Sequence, residues 1–185
     1  MKVRFLFVMV LLYLLTGCNW SAMTSNSIPT NTVGAFSIYL VKQTMSAQQM
    51  METDLSDLEL EEIPILSIDD IVAYSWETHE IELTTSAYER IAELHVPVTT
   101  GVPFVVCVGR EPVYGGAFWV GYSSMSFRGI VIDKLFATEN HPVRIQLGYP
   151  ESPELFEGED PRSDPRILQS LEAAGKLRLV EGKSS

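Results

Sequence analysis

Residues 101–120 read GVPFVVCVGREPVYGGAFWV. Phe104 to Val108 is an uncharged run of β-branched and apolar residues, which suits a central strand buried on both faces. Gly109-Arg110-Glu111-Pro112 supplies turn residues, and Val113 to Val120 returns as a second strand. The reading is a β-hairpin over 103–120, with Val106 in the core.

The pattern repeats in weaker form on both sides of the hairpin. On the N-terminal side, Ala35 to Val41 alternates, with Phe36, Ile38 and Leu40 on one side, as a strand does. Gln43 to Leu60 is rich in Met, Gln and acid with weak periodicity, and reads as a surface excursion with room for a helical turn. Ser67, Asp69 and Asp70 look like the cap and acidic first turn of a short helix through Tyr74. His79 to Leu83 alternates as a half-buried strand. Ser86 and Glu89 have capping-box spacing, Ala87, Ile91 and Leu94 form a helical stripe, and Pro97 ends it. On the C-terminal side, Gly121 to Phe127 reads as a loop, and Gly129–Ile132 and Val143–Leu147 as strands. Asp164 and Pro165 open a helix with Ile167, Leu168 and Leu171 on one face, closed by Gly175. Strands outnumber helices, and adjacent strands are joined too tightly for βαβ crossovers. The expected class is α+β, a mostly antiparallel sheet with two or three helices.

The first residues carry a different signal. Lys2 and Arg4 precede FLFVMVLLYLL at 5–15, a charged region and then an apolar run too short to span a bilayer, for which a helix needs roughly 20 residues. The run ends in Leu15-Thr16-Gly17-Cys18. This resembles the lipobox of bacterial lipoproteins, in which the cysteine becomes the lipidated N-terminus after cleavage. The resemblance implies a signal peptide at 1–17, lipid on Cys18, a polar tether at 18–33 and a single domain at 34–185. It also implies export and attachment to the bacterial cell membrane or outer membrane, because several acyl chains hold far better than one. A fainter resemblance covers 79–132, where the order of elements is similar to the periplasmic head subdomain of the translocase subunit SecD.

The chain has 13 basic and 24 acidic residues; loss of Lys2 and Arg4 leaves 11 against 24, a net charge of −13. Such a field repels phosphate backbones, so nucleic acid is excluded as an expected partner. Thirteen acidic residues and one basic lie between Glu52 and Glu93, which reads as a solvated face. Cys18 and Cys107 are the two cysteines, and a lipidated Cys18 leaves no disulfide. Cys107 sits among valines and reads as an inert core thiol. His79, His95 and His141 lack metal-ligand spacing, and no cofactor or metal is expected.

Tyr114 to Phe127 (YGGAFWVGYSSMSF) concentrates aromatics, glycines and serines, a composition that binding surfaces use. The candidate binding residues are Tyr114, Trp119, Tyr122, Ser123, Ser124 and Phe127. The expected function is a lipid-anchored, non-catalytic binding or protein-interaction module. The alternative is a hydrolase of unfamiliar type using Ser123 or Ser124 with His141 or Asp133.

Overall fold

A computed structural model describes residues 34–138, 141–151, 154, 156 and 159–178. The segment at 1–17, Cys18 and the stretch at 18–33 lie outside the described residues. The elements, in chain order, are β1 (Phe36–Leu40), α1 (Ala47–Met51), β2 (Leu66–Ser67), β3 (Ile71–Ser75), β4 (Glu80–Leu83), α2 (Thr85–Glu93), β5 (Val102–Val108), β6 (Glu111–Trp119), β7 (Phe127–Asp133), β8 (Val143–Tyr149), α3 (Pro165–Ala173) and β9 (Leu177–Arg178). The strands form one mixed sheet in the order β2-β1-β5-β6-β7-β8-β4-β3-β9. It is mostly antiparallel, and the fold is α+β.

The hairpin lies inside that order, with β5 between β1 and β6. Its turn is the pair Gly109-Arg110, both at positive φ (60° and 68°). Two left-handed residues in a two-residue turn match the twist of the flanking strands, which is why a glycine stands first. Glu111 and Pro112 therefore belong to β6 and not to the turn, with a bulge opposite Cys107. Phe104, Val106 and Val108 point into the main core, while Val105 and Cys107 point to the opposite face. Both faces are covered, so the strand reads as unbroken apolar sequence.

The sheet curls until its ends approach. β2 and β3 stand far apart in strand order, yet only residues 68–70 separate them in the chain. Phe36 of β1 and Tyr74 of β3 meet edge to face, ring centroids 6.3 Å apart. Helix α3 lies along the seam: Ser170 Oγ accepts a hydrogen bond from Phe36 N at 2.8 Å, and β9, directly after α3, pairs with β3. Asp164 and Pro165 start α3 as the sequence predicts. It closes with amides of Gly175 and Lys176 bonded to Glu172 and Leu171 carbonyls, a Schellman end. Ile167 and Leu171 join Ala87, Tyr88 and Ile91 of α2 in the main core. Each of the isoleucines and Leu171 contributes about 1.5–3 kcal/mol on burial.

Four local expectations are corrected. The helix expected through Tyr74 is a single turn at Ile68–Asp70, followed by β3. Ile71, Ala73 and Tyr74 are buried against the sheet, and this tertiary pairing with β4 outweighs the local cap signal. Helix α2 begins at Thr85, capped by Thr84, whose carbonyl accepts from Ala87 and Tyr88 amides; Ser86 is already inside it. Residues 43–60 are exposed or half-buried at most positions and contain the expected helical turn, α1, but the excursion folds back onto the sheet. Leu40 and Lys42 bond to Glu61 and Glu59, closing the segment at its base, and Met50 and Leu58 pack on the outer face of β5. Its elements are too short to show a period, with α1 five residues long.

The fourth correction concerns crossovers. β6 and β7 are parallel neighbours, with Gly116 opposite Ile130 and Trp119 opposite Asp133. Residues 120–126 alone connect them. The chain must run back up to about 20 Å along the sheet, with little slack for so short a link. Parallel pairs usually need a dozen or more residues for this return. Here Trp119 and Phe127, at either end of the link, stack with ring centroids 5.3 Å apart on the outer face.

Candidate binding cleft

Three loops converge at one end of the curled sheet: residues 95–98 after α2, 120–123 after β6, and 134–135 after β7. Between them lies a cleft of about 430 Å³, lined by His95, Val96, Pro97, Val98, Val120, Tyr122, Lys134 and Leu135. That volume falls in the range of small-molecule sites. Among the described residues seven large apolar side chains are exposed: Met51, Ile63, Val72, Val98, Tyr122, Met125 and Leu135. Val98, Tyr122 and Leu135 line this cleft, and Met125 sits two residues from Ser123 at its rim. Scattered exposed apolar residues are ordinary, whereas a cluster marks a surface that something covers.

The walls are held by hydrogen bonds as well as by the packing of Val96 and Val120 in the main core. Asp133, the last residue of β7, is buried; its Oδ1 accepts from Gly121 N at 3.1 Å and from Leu135 N at 2.9 Å. One carboxylate thus ties two of the three loops. Burial raises its pKa above the usual value, and the two amide bonds oppose that rise. Gly121 is required at this point, since a Cβ there would lie 2.4 Å from Asp133 Oδ2. Ser123 ties the third loop: its Oγ donates to Val98 O at 2.6 Å and accepts from Met125 N at 3.1 Å. Tyr149 Oη donates to Ser123 O at 3.2 Å, fixing the connection to β8. Lys134 donates from Nζ to Leu94 O at the C-terminal end of α2, where a cation is favoured.

The six residues expected to bind do not stay together. Tyr122 is 65% exposed in the cleft, Ser123 stands at its wall, and Ser124 is exposed on the loop. Tyr114, Trp119 and Phe127 are buried, at 4%, 3% and 2% exposure, and cannot meet a partner as they stand. Trp119 and Phe127 belong to the outer core with Ala117 and Val131, and Tyr114 to the main core. Strand alternation sends Phe118 and Trp119 to opposite faces, and both faces are covered. Ser123 Oγ is directed at Val98 O and Met125, and His141 Nδ1 lies 3.3 Å from Thr138 Oγ1; these bonds do not join a serine to a histidine. Cys107 is fully buried, and burial pushes its thiol up to about 11. Among the described residues no three His, Cys, Asp or Glu side chains gather as a metal set, and no helix is long and apolar enough to cross a membrane.

No family model, curated protein or solved structure matches this chain. The cleft itself therefore carries the functional argument. Val98, Lys134 and Leu135 escaped the sequence reading because each is unremarkable alone. Their only sequence signal is the apolar-then-turn punctuation at the ends of α2 and β7.

The other end of the sheet is built from different chemistry. His79, at φ 52° in the turn before β4, places Nδ1 3.0 Å from Tyr74 Oη and meets the edge of Trp76. Arg162 pairs with Asp160 through Nε and Nη2 and donates from Nη1 to Ile145 O at 2.6 Å. The Arg162 pairing holds the Asp160 carboxyl below its usual range, and burial pushes His79 down to about 4. Tyr114 Oη is buried in the same neighbourhood without a hydrogen-bond partner in the protein.

Proposed function

We propose that this chain is an exported lipoprotein, anchored through Cys18, whose folded part binds a ligand or protein partner in the cleft at 95–98, 120–123 and 134–135. One observation carries the binding half of the reading: exposed Val98, Tyr122 and Leu135 converge on a cleft whose loops are fixed in advance by Asp133 and Ser123. Apolar groups left in water on ordered loops cost stability that covering them would recover. The anchor half rests on the LTGC sequence behind an eleven-residue apolar run.

Two measurements test the halves separately. Cys18→Ser should abolish incorporation of labelled palmitate; incorporation equal to the natural chain would remove the anchor. Tyr122→Ala should leave the melting temperature within a degree or two, because an exposed side chain contributes little, and should lose the protein or small molecule that copurifies from solubilised membranes. Unchanged copurification by Tyr122→Ala would remove the cleft from the account.

A further inference from the structure

We infer that the cleft takes a small amphipathic anion, an aromatic or aliphatic body ending in one carboxylate, a specification that rests on the binding reading above. Six of the eight lining residues are apolar or aromatic: Pro97, Val98, Tyr122 and Leu135 are exposed, while Val96 and Val120 are buried in the main core beneath them. The other two are Lys134 and His95, both nitrogen bases, in a chain whose formal net charge is −11. The lining contains no carboxylate. Asp133, the nearest acid in sequence, has its Oδ1 turned to the amides of Gly121 and Leu135 behind the wall.

Lys134 is the group that gives the cleft its sign. Its ammonium has three donors, and the structure commits one of them to Leu94 O. Six carboxylates elsewhere have arginine partners: Asp70 with Arg90, Glu80 and Glu151 with Arg144, Asp160 with Arg162, Asp164 with Arg166 and Glu82 with Arg178. Lys134 has no such partner among the described residues. An ammonium beside apolar walls, with donors to spare, matches a ligand that brings an apolar body and one anionic end. The volume of about 430 Å³ sets the scale at a small molecule rather than a folded partner.

Three probes of one shape isolate the charge: 3-phenylpropionate, 3-phenylpropanamide and 3-phenylpropylamine. Each is titrated by ligand-observed NMR against the full chain in detergent, with protein-free micelles as blank. The expected order is carboxylate, then amide, then amine, with the carboxylate about fivefold tighter than the amide, as one partly exposed charge-assisted contact gives. Lys134→Gln keeps a donor for Leu94 O and should erase the carboxylate preference while amide binding persists. Leu135→Asp should weaken the carboxylate most. Equal binding of carboxylate and amide by the natural chain, a preference that survives Lys134→Gln, or no saturable binding of the carboxylate would each overturn the inference. Amide binding that Tyr122→Ala removes, without any charge preference, would overturn the anion and keep the cleft.

Discussion

The two ends of the curled sheet invert one another. At the cleft, apolar side chains face water and the polar groups beneath them are hydrogen-bonded: Asp133 holds two amides and Ser123 a carbonyl. At the end around His79, polar side chains turn inward: His79 against Tyr74 and Tyr114 without a partner are buried, and the half-buried Arg162 bridges Ile145 O and an exposed Asp160. The first arrangement leaves a cost that a ligand can relieve. The second has most of its cost met inside the fold, through the bonds of His79 to Tyr74 and of Arg162 to Asp160 and Ile145, with Tyr114 Oη the exception. Buried titratable groups are often taken as the sign of a functional site. In this molecule they occur at both ends, His79 at the closed one and Asp133 behind the cleft, and the open end is set apart by exposed carbon on fixed loops.

The largest expected effect removes the frame that both ends share. Val106→Asp places a carboxylate at a fully buried position of β5 among the apolar side chains of the main core, a loss of more than about 4 kcal/mol. The chain should not yield a cooperative melt. A soluble variant with an unchanged melting curve would show that β5 does not organise the sheet, and the contrast between its ends would have no common basis.

The closed end should answer to acid where the open end does not. His79 is neutral in the folded state down to about pH 4, whereas in the unfolded chain it takes up a proton near 6.5. Between those values the unfolded state binds more protons, so stability is lost as pH falls through the window, by about 3 kcal/mol in total. Asp70, Asp160 and Asp164, whose carboxyls are held below their usual range by bonds to Arg90, Arg162, Arg166 and neighbouring serine and backbone groups, act only at lower pH, below about 4. Denaturant melts at pH 7, 5.5 and 4.5 should therefore show a slope that His79→Gln reduces. Asp133 has the opposite sign. Its raised pKa means that acid favours the folded state there, so it cannot produce the loss.

A smaller effect separates architecture from charge at the open end. Asp133→Ala deletes the acceptor for Gly121 and Leu135 amides and should cost about 1–3 kcal/mol, with the cleft loosened. Asp133→Asn keeps an acceptor oxygen without the buried charge, and should stay within about 1 kcal/mol of the natural chain. Equal losses from both, measured by chemical denaturation, would mean that the carboxylate's charge rather than its bonds holds the loops.

How far the sequence carries differs between the two ends for a physical reason. Strand β5, its partner β6, the capped α3 and the α+β class are legible because period, turn residues and caps are local properties. The parallel pair β6–β7 is not, because a seven-residue link of small and aromatic residues looks like any hairpin loop until Trp119 and Phe127 are seen to stack. The cleft was half legible. Tyr122 and Ser123 stand out in a loop dense with aromatics and serines, but the same density drew in Tyr114, Trp119 and Phe127, which alternation on a sheet covered on both faces turns inward. Val98, Lys134 and Leu135 join the site only through the meeting of three strand and helix ends distant in sequence. No local pattern reports that.

Site-specific photocrosslinking compares the exposed apolar cluster with an exposed apolar residue elsewhere. A photoreactive phenylalanine is placed at position 122, in the cleft, or at position 63, where Ile63 is 81% exposed and lies outside it. After irradiation in cells of an exporting bacterial host, the purified chain is weighed intact, so that small-molecule and protein adducts are both seen. The account predicts a discrete adduct at position 122 and none of comparable yield at position 63. Adducts of equal yield at both positions, or a discrete adduct at 63 alone, would contradict the claim that this cleft is the binding surface.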